Sequence, residues 1–299
     1  MKTAINNVLV LGNRGFIGRH LEARLKKEYP QLETAGLSRQ ELDLTQGQSP
    51  NQLKKHLQAD TALIVCSGIK AQVGNDLAAF EKNIAMMTHI CRALEAQPVA
   101  RVLYLSSAAV YGEEVEDLRI SEKTVKKPGS YYGIAKQTSE LMLRQALKNH
   151  TDTTALMLRP PLIYGPNDPV KPYGPALFLD AVEKGEDIRM WGEGDEKREF
   201  LFIDDLTKMV TGLIQHPFDG VLNTVNGQSH TFADIIAILG ELFPGKVTVK
   251  SRERSKAKVD CGFDASLLLK LLPDYRTTSL ADGLKMTAQN VSLDKPVER

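Results

Sequence analysis

The sequence predicts a doubly wound α/β domain with a parallel sheet, to which a smaller C-terminal lobe is appended. Three observations carry this prediction: short apolar runs alternate with amphipathic stretches through the first half, the first run ends in a glycine-rich turn, and the texture changes abruptly after Arg159. Val8 to Leu11 is apolar throughout and ends at Gly12, as a buried strand would. Phe16 to Glu28 then sets Ile17, Leu21 and Leu25 on one helical face. Further strands are expected at Thr34–Leu37, Ala62–Cys66, Val102–Leu105 and Ala155–Leu158, with helices at Asn83–Ala96 and Tyr131–His150. Runs that are continuously apolar rather than alternating belong to strands covered on both faces, which is the mark of a parallel sheet between helical layers.

Beyond Arg159, the prolines at 160, 161, 166, 169, 172 and 175 exclude a regular helix or a central strand over that stretch. Strands at Ile188–Trp191 and Glu199–Ile203 and helices at Asp205–Gln215 and Phe232–Phe243 are expected next, with Trp191 anchoring the lobe. The expected division is residues 1–165 with a return segment at about 204–228 for the first domain, and 166–203 with 229–299 for the lobe. Open α/β sheets bind ligands at the carboxyl ends of their strands, so the lobe should serve a ligand there. The tail after Ser292 is polar and expected to fray.

Composition narrows the partners. Lys+Arg 38 against Asp+Glu 37 leaves a net charge of +1, so no global field draws the 299-residue chain to nucleic acid or a membrane surface. The apolar runs are too short to span a bilayer, and no secretory signal follows Met1. Three cysteines without a CxxC leave an odd thiol and point to a reducing, cytoplasmic setting. The six histidines form no HExxH, so no metal is expected.

Gly12-Asn13-Arg14-Gly15-Phe16-Ile17-Gly18 is a GxxGxxG between a strand and a helix. Glycines serve where the chain turns sharply, where backbone approaches a pyrophosphate and where helix packs on strand, and the helix N-terminus then receives the anion. The second strand ends Leu37-Ser38-Arg39 with no acid at its tip, where NAD enzymes place an Asp or Glu for the ribose hydroxyls. Arg14, Ser38 and Arg39 therefore suggest a clamp for the 2′-phosphate, which favours NADP(H) and leaves NAD(H) open. In Glu41-Leu42-Asp43-Leu44, Asp43 could accept a hydrogen bond from the adenine, with Leu44 beside it.

Val102 to Leu105 runs into Ser106-Ser107-Ala108-Ala109-Val110-Tyr111-Gly112, and Tyr132-Gly133-Ile134-Ala135-Lys136 is a YxxxK. Four residues on a helix put Tyr132 and Lys136 on one face, where an ammonium lowers a phenol pKa from about 10 and makes a general acid/base. Ser107 can hydrogen-bond the same substrate oxygen.

Together with Leu158 to Pro166 (LRPPLIYGP) and Trp191-Gly192-Glu193-Gly194 to Asp205, these motifs make nearly the whole chain similar to the extended short-chain dehydrogenase/reductase superfamily, in its nucleotide-sugar epimerase, dehydratase and reductase branch. The resemblance implies a Rossmann-like fold and Ser107, Tyr132 and Lys136 as catalytic triad. It also implies cofactor contacts from Cys66, Ser67, Gly68, Pro160 and Ile163, and Arg198 and Arg254 as ligands of a nucleotide-diphosphate sugar. Helices 83–96 and 131–150 match those that form a four-helix homodimer interface in the family, where Met86, Met87, Ile90, Leu141 and Leu143 would fit, as they would inside one chain.

Departures from the family narrow the chemistry. The Asp-Glu pair that dehydratases carry after the catalytic hydroxyl residue is Ala108-Ala109 here, and alanine transfers no proton. GNRGFIG, LSRQELDLT and REFLFIDD resemble GDP-fucose synthases, yet Ala109 replaces their Cys and no histidine lies between His150 and His216. Two single-site chemistries remain: NADPH-driven reduction of a nucleotide-linked 4-keto-6-deoxy sugar, which the arginines favour, and NAD-dependent 4-epimerisation. A dinucleotide-binding relative without chemistry is the third alternative, and the retained Tyr132 and Lys136 weigh against it. Leu162 stands where many relatives have a substrate-binding Asn.

Overall fold

The computed structural model describes residues 4–171, 174–254 and 257–293; Pro172 of the proline-rich stretch and the tail beyond residue 293 fall outside them. The chain opens with β1 (Asn7–Leu11), α1 (Phe16–Glu28), β2 (Glu33–Leu37), α2 (Ser49–Lys54), β3 (Thr61–Val65), α3 (Leu77–Ala96) and β4 (Arg101–Leu105). A short 3-10 turn at Ala108–Val110 leads to β5 (Asp117–Ile120), α4 (Tyr131–Ala146), β6 (Thr154–Arg159) and β7 (Leu162–Tyr164). Next come α5 (Gly174–Lys184), β8 (Ile188–Trp191), β9 (Lys197–Phe202), α6 (Ile203–Gly212), β10 (Gly220–Asn223) and β11 (Ser229–Thr231). The chain closes with α7 (Phe232–Leu242), β12 (Val249–Arg252), β13 (Cys261–Phe263), α8 (Ser266–Leu271) and α9 (Leu280–Leu293).

Two compact units result. The described parts of 1–113, 124–160 and 207–224 make the first, and those of 114–123, 161–206 and 225–299 the second. The first holds a six-stranded sheet in the order β10-β6-β4-β3-β1-β2, every pairing parallel. This is the Rossmann-like doubly wound fold that the apolar runs predict. From β1 the chain moves to β2 on one side and to β3, β4 and β6 on the other, so order reverses at the β1/β3 pair, where Leu11 lies beside Val65. A crevice at the carboxyl ends is expected at such a reversal. Every residue of β3, β4 and β6 is buried. Leu63, Leu103 and Leu156 are fully enclosed, each stabilising by about 1.5–3 kcal/mol through area removed from water.

In the second unit β9 is central, parallel to β7 and antiparallel to β11, while β8 pairs with β12 and β5 with β13, both parallel. Thr231 caps α7 through a reciprocal box, accepting from the Asp234 N–H at 3.0 Å while Asp234 accepts the Thr231 N–H at 2.8 Å.

Several boundaries differ from expectation for local reasons. α3 begins at Leu77, not Asn83, because Asp76 caps it by accepting the Ala79 N–H at 2.8 Å, ahead of the apolar periodicity. α4 stops at Ala146, not His150, where bonds from Lys148 to Gln145 and from His150 to Leu147 tighten into turns. Ile203 opens α6 rather than closing a strand, with Asp204 and Asp205 in the positive first turn. The proline-rich stretch does hold a strand and a helix: β7 fits because it is an edge, and α5 because Pro175 sits in its first turn, where no N–H is needed. Trp191 does not anchor the lobe. It is 52% exposed, with the Arg252 guanidinium 6.0 Å from its ring.

Candidate active site

The glycine turn is built for close approach. Gly12 has φ +82, and a Cβ there would lie 3.0 Å from the Ser67 nitrogen, at the β1/β3 crevice. At Gly18 a Cβ would run into the Gly12 carbonyl oxygen, so only glycine lets α1 lie on the turn. Gly15 caps α1 with no side-chain bond, which offers the first-turn N–H groups and the helix dipole to an anion. Phe16 is buried behind the turn, edge-on to His20 at 5.4 Å, and Ile17 is half-buried. This cradle fits the pyrophosphate of a dinucleotide.

At the tip of β2 the fold supplies an acid that the strand itself lacks. The chain turns back after Arg39, and the Glu41 carboxylate accepts the Ser38 N–H at 2.9 Å and the Ser38 hydroxyl. These Ser38 bonds hold its pKa below the ordinary value. Arg14 is paired with Glu41 at 2.9 Å and Arg39 with Asp43 at 3.3 Å, both guanidiniums remaining largely in water. Asp43 is drawn to about 2, chiefly by the Thr45 hydroxyl and N–H, so it stays charged. Leu44 is 5% exposed in the core, its carbonyl 2.7 Å from His89 Nδ1, and its side chain packs there with Leu42, Leu53 and Leu57.

The catalytic candidates come together at the carboxyl end of β4. Ser107 caps the 3-10 turn, its Oγ accepting the Ala109 N–H at 3.1 Å, while the Ala108 N–H is fixed by the Pro160 carbonyl at 2.9 Å. Ser130 caps α4 by accepting the Gly133 N–H at 3.0 Å, and Asn75 accepts the Tyr132 N–H at 3.1 Å. A Cβ at Gly133 would lie 2.6 Å from the Ala109 carbonyl oxygen, so this glycine seats the start of α4 against the Ser107 turn. Lys136, one helical turn after Tyr132, is 9% exposed. Its Nζ lies 5.7 Å from the Tyr132 ring centroid and 4.8 Å from that of Tyr104, and donates to the Leu105 carbonyl at 2.5 Å. Burial pulls its pKa down to about 8, against the opposing pull of the Glu140 carboxylate. Burial also pushes the Cys66 thiol up to about 12, which keeps it protonated and inert.

Three supports escape sequence reasoning. Asn83, mid-helix in α3, clamps the Ile69 backbone through both amide atoms at 2.8 and 3.1 Å. That holds Gly68 where a Cβ would stand 3.7 Å from Lys136 Nζ. Tyr104 covers the second face of the ammonium. Glu140, one turn beyond Lys136, accepts from the Ser106 hydroxyl at 2.5 Å and is gripped by Arg159 at 2.9 and 2.5 Å. Arg159 also donates to the Tyr111 hydroxyl at 2.9 Å, which donates to Asn223 at 2.6 Å. Burial favours the neutral form of Arg159, but the bonds and charge of Glu140 outweigh it and raise its pKa. The available signal was a polar residue amid apolar periodicity in α3 and α4.

In the second unit Ile163 is half-buried in β7, beside Leu201 of β9. Arg198 and Arg254 converge on one carboxylate: Glu196 lies 2.5 Å from Arg198 and 2.8 Å from Arg254. Arg254 also pairs with Asp195 at 2.8 Å. Next to Arg198, Glu199 is 1% exposed and accepts the N–H groups of Asn226 and Gly227 at 2.5 and 3.1 Å; burial pushes its pKa up to about 7. Of the residues suited to a dimer interface, Met87, Ile90 and Leu143 are already buried within the chain, whereas Leu141 is 59% exposed.

Among the described residues, no helix is long and apolar enough to cross a membrane. The family model described as the NAD dependent epimerase/dehydratase family matches residues 8–226. The chain is 25% identical to a dTDP-4-dehydro-6-deoxy-D-allose reductase of Streptomyces bikiniensis, over 78% of this chain and 81% of that one. It is likewise 25% identical to a GDP-L-fucose synthase of Arabidopsis thaliana, over 80% and 79%. The fold is that of a Thermus thermophilus UDP-glucose 4-epimerase solved with NAD, at TM-score 0.83 and 20% identity over 97% of this chain and 100% of that one. With the glycine cradle, the Ser107–Tyr132–Lys136 arrangement and the match over most of its length, the chain belongs to the NAD-dependent epimerase/dehydratase family.

Proposed function

We propose that the protein reduces a nucleotide-linked 4-keto-6-deoxy sugar at C4, with NADPH as reductant. The pair of exposed arginines at the β2 tip, Arg14 and Arg39, carries the choice of reductant, and the two positions after Ser107 are alanines, which leaves Tyr132 as the proton-exchanging partner at this turn. A site with a single acid/base supports one proton transfer, as a ketone reduction requires, and not the elimination of water. The similarity to reductases of 4-keto sugars points the same way.

The bound dinucleotide would supply the hydride. The residues of this chain do the rest. The glycine cradle holds the pyrophosphate, and the Tyr132 phenol gives its proton to the carbonyl oxygen as that oxygen gains charge. Ser107 Oγ donates a hydrogen bond to the same oxygen, and Lys136, charged below about pH 8, stabilises the resulting phenolate. Arg198 and Arg254 hold the diphosphate, for which forked guanidiniums are suited. Arg14 and Arg39 take the 2′-phosphate by giving up exposed pairings that hold weakly.

A second reading is favoured by Glu41. A carboxylate at the tip of β2 suits the ribose hydroxyls of NAD and repels a 2′-phosphate, as a 4-epimerase that retains NAD would require. Turnover assays decide between them: oxidation of NADPH on addition of the keto sugar supports the reductase, while co-purified NAD with redox-neutral interconversion of two hexoses supports the epimerase. In either case Tyr132→Phe should lower kcat at least about 100-fold, with KM little changed. Full activity in that variant would sink the catalytic assignment.

A further inference from the structure

We propose that Glu196 is a built-in competitor of the substrate's diphosphate, a tethered carboxylate that occupies the Arg198–Arg254 site until a doubly charged ligand displaces it. This inference rests on the proposed role of the two arginines. Both guanidiniums grip the same carboxylate, at 2.5 and 2.8 Å, so the geometry already suits an anion. Each arginine has a second anchor that survives the loss of Glu196. Arg198 Nη1 donates to the Val259 carbonyl and to that of Lys197 at 3.1 Å. Arg254 is paired with Asp195 at 2.8 Å and lies against Gly192, where a Cβ would be 2.8 Å from its Nε. Among the described residues Glu196 is the carboxylate shared between them, and its departure leaves these other anchors in place.

The carboxylate sits where the chain enters β9 and water can reach it. Gly192 and Gly194 have φ +56 and +72, so the approach to β9 is a sharp glycine turn, and Glu196 precedes the strand that begins at Lys197. Its side chain is 19% exposed, within reach of solvent and solute. Lys258, 3.1 Å from Asp195 and 3.4 Å from Asp260, adds a third cation to the cluster. Arg198, Arg254 and Lys258 thus face Asp195, Glu196 and Asp260 among the described residues. A carboxylate held on the same chain competes at high effective concentration. If it fills the site nine-tenths of the time, the apparent affinity for a ligand falls about tenfold. A diphosphate, with more charge than Glu196 and oxygens for both forks, is the class of ligand that prevails.

The test compares Glu196→Gln, Glu196→Asp and Arg198→Met with the unaltered chain, titrating UDP, GDP and dTDP by calorimetry and measuring KM for the nucleotide sugar. Glu196→Gln should bind the preferred nucleoside diphosphate about tenfold more tightly, with the gain falling on KM rather than kcat. Glu196→Asp, which retracts the charge by one methylene, should gain less and guards against a fold defect in the amide variant. Unchanged or weaker binding by both Glu196 variants, with binding lost in Arg198→Met, would overturn the competitor role and leave the arginine site standing. Undiminished binding by Arg198→Met would overturn both.

Discussion

Two of the carboxylate–guanidinium clusters among the described residues share one chemistry and differ in their access to water. In the first unit Glu140 and Arg159 are 5% and 1% exposed, and every polar atom of the pair is committed to Ser106, Tyr111 or each other. In the second, Glu196, Arg198 and Arg254 are about one-fifth exposed. A buried pair cannot exchange its partner without exposing a bare charge to a low-dielectric interior, whereas a half-buried one can. The first cluster therefore fixes the floor beneath the Ser107 turn and the Lys136 helix, and the second can trade one anion for another. Glu199 is a third case: it is buried as deeply as Glu140 but is held by backbone N–H groups, with no guanidinium fork on it among the described residues.

The largest effect should follow from breaking the buried pair on one side. Arg159→Met leaves Glu140 charged and desolvated, and should cost about 3–5 kcal/mol of stability, read as a lowered midpoint in urea. The double variant Glu140→Leu with Arg159→Met should recover much of that loss. A cost below about 1 kcal/mol for the single change would place this pair with exposed ones and erase the contrast. Glu199 sharpens the comparison through pH. Its pKa is raised from 4.5 to about 7, so the folded state binds its proton more tightly than the unfolded state does. Its contribution to stability is thus fully present below pH 4.5 and is lost as pH rises to about 7, a change of roughly 3 kcal/mol. Glu199→Gln should flatten that slope in melting temperatures taken from pH 5 to pH 8. The smallest effect belongs to Arg14, whose pair with Glu41 lies in water: Arg14→Ala should change stability by less than about 1 kcal/mol while raising the KM for NADPH.

Much of this was legible in the sequence where the information is local. The glycine turn lies within seven residues and its partners are the strand and helix on either side, so its spacing alone carries it. The buried strands were legible because a sheet covered on both faces needs unbroken apolar runs, and β1, β3, β4 and β6 have them. What was hidden depends on chain reversal or distant pairing. Glu41 reaches Ser38 only because the backbone folds back after Arg39, so an acid that looked displaced along the chain stands at the strand tip after all. Asn83 meets Ile69, Glu140 meets Arg159 and Glu196 meets Arg254 across gaps that no periodicity encodes. The roles drawn for Arg198 and Arg254 came from motif similarity, and the carboxylate lodged between them has no signature of its own.

One consequence follows from the parallel sheet. Gly12, Cys66 to Gly68 and Ser106–Ser107 each follow the carboxyl end of a strand that is almost wholly buried. Stiffness and reactivity are thereby carried by different stretches of polypeptide. A laboratory seeking a new specificity can rewrite these connecting loops and leave the strands alone, and a lineage diversifying by mutation has the same freedom.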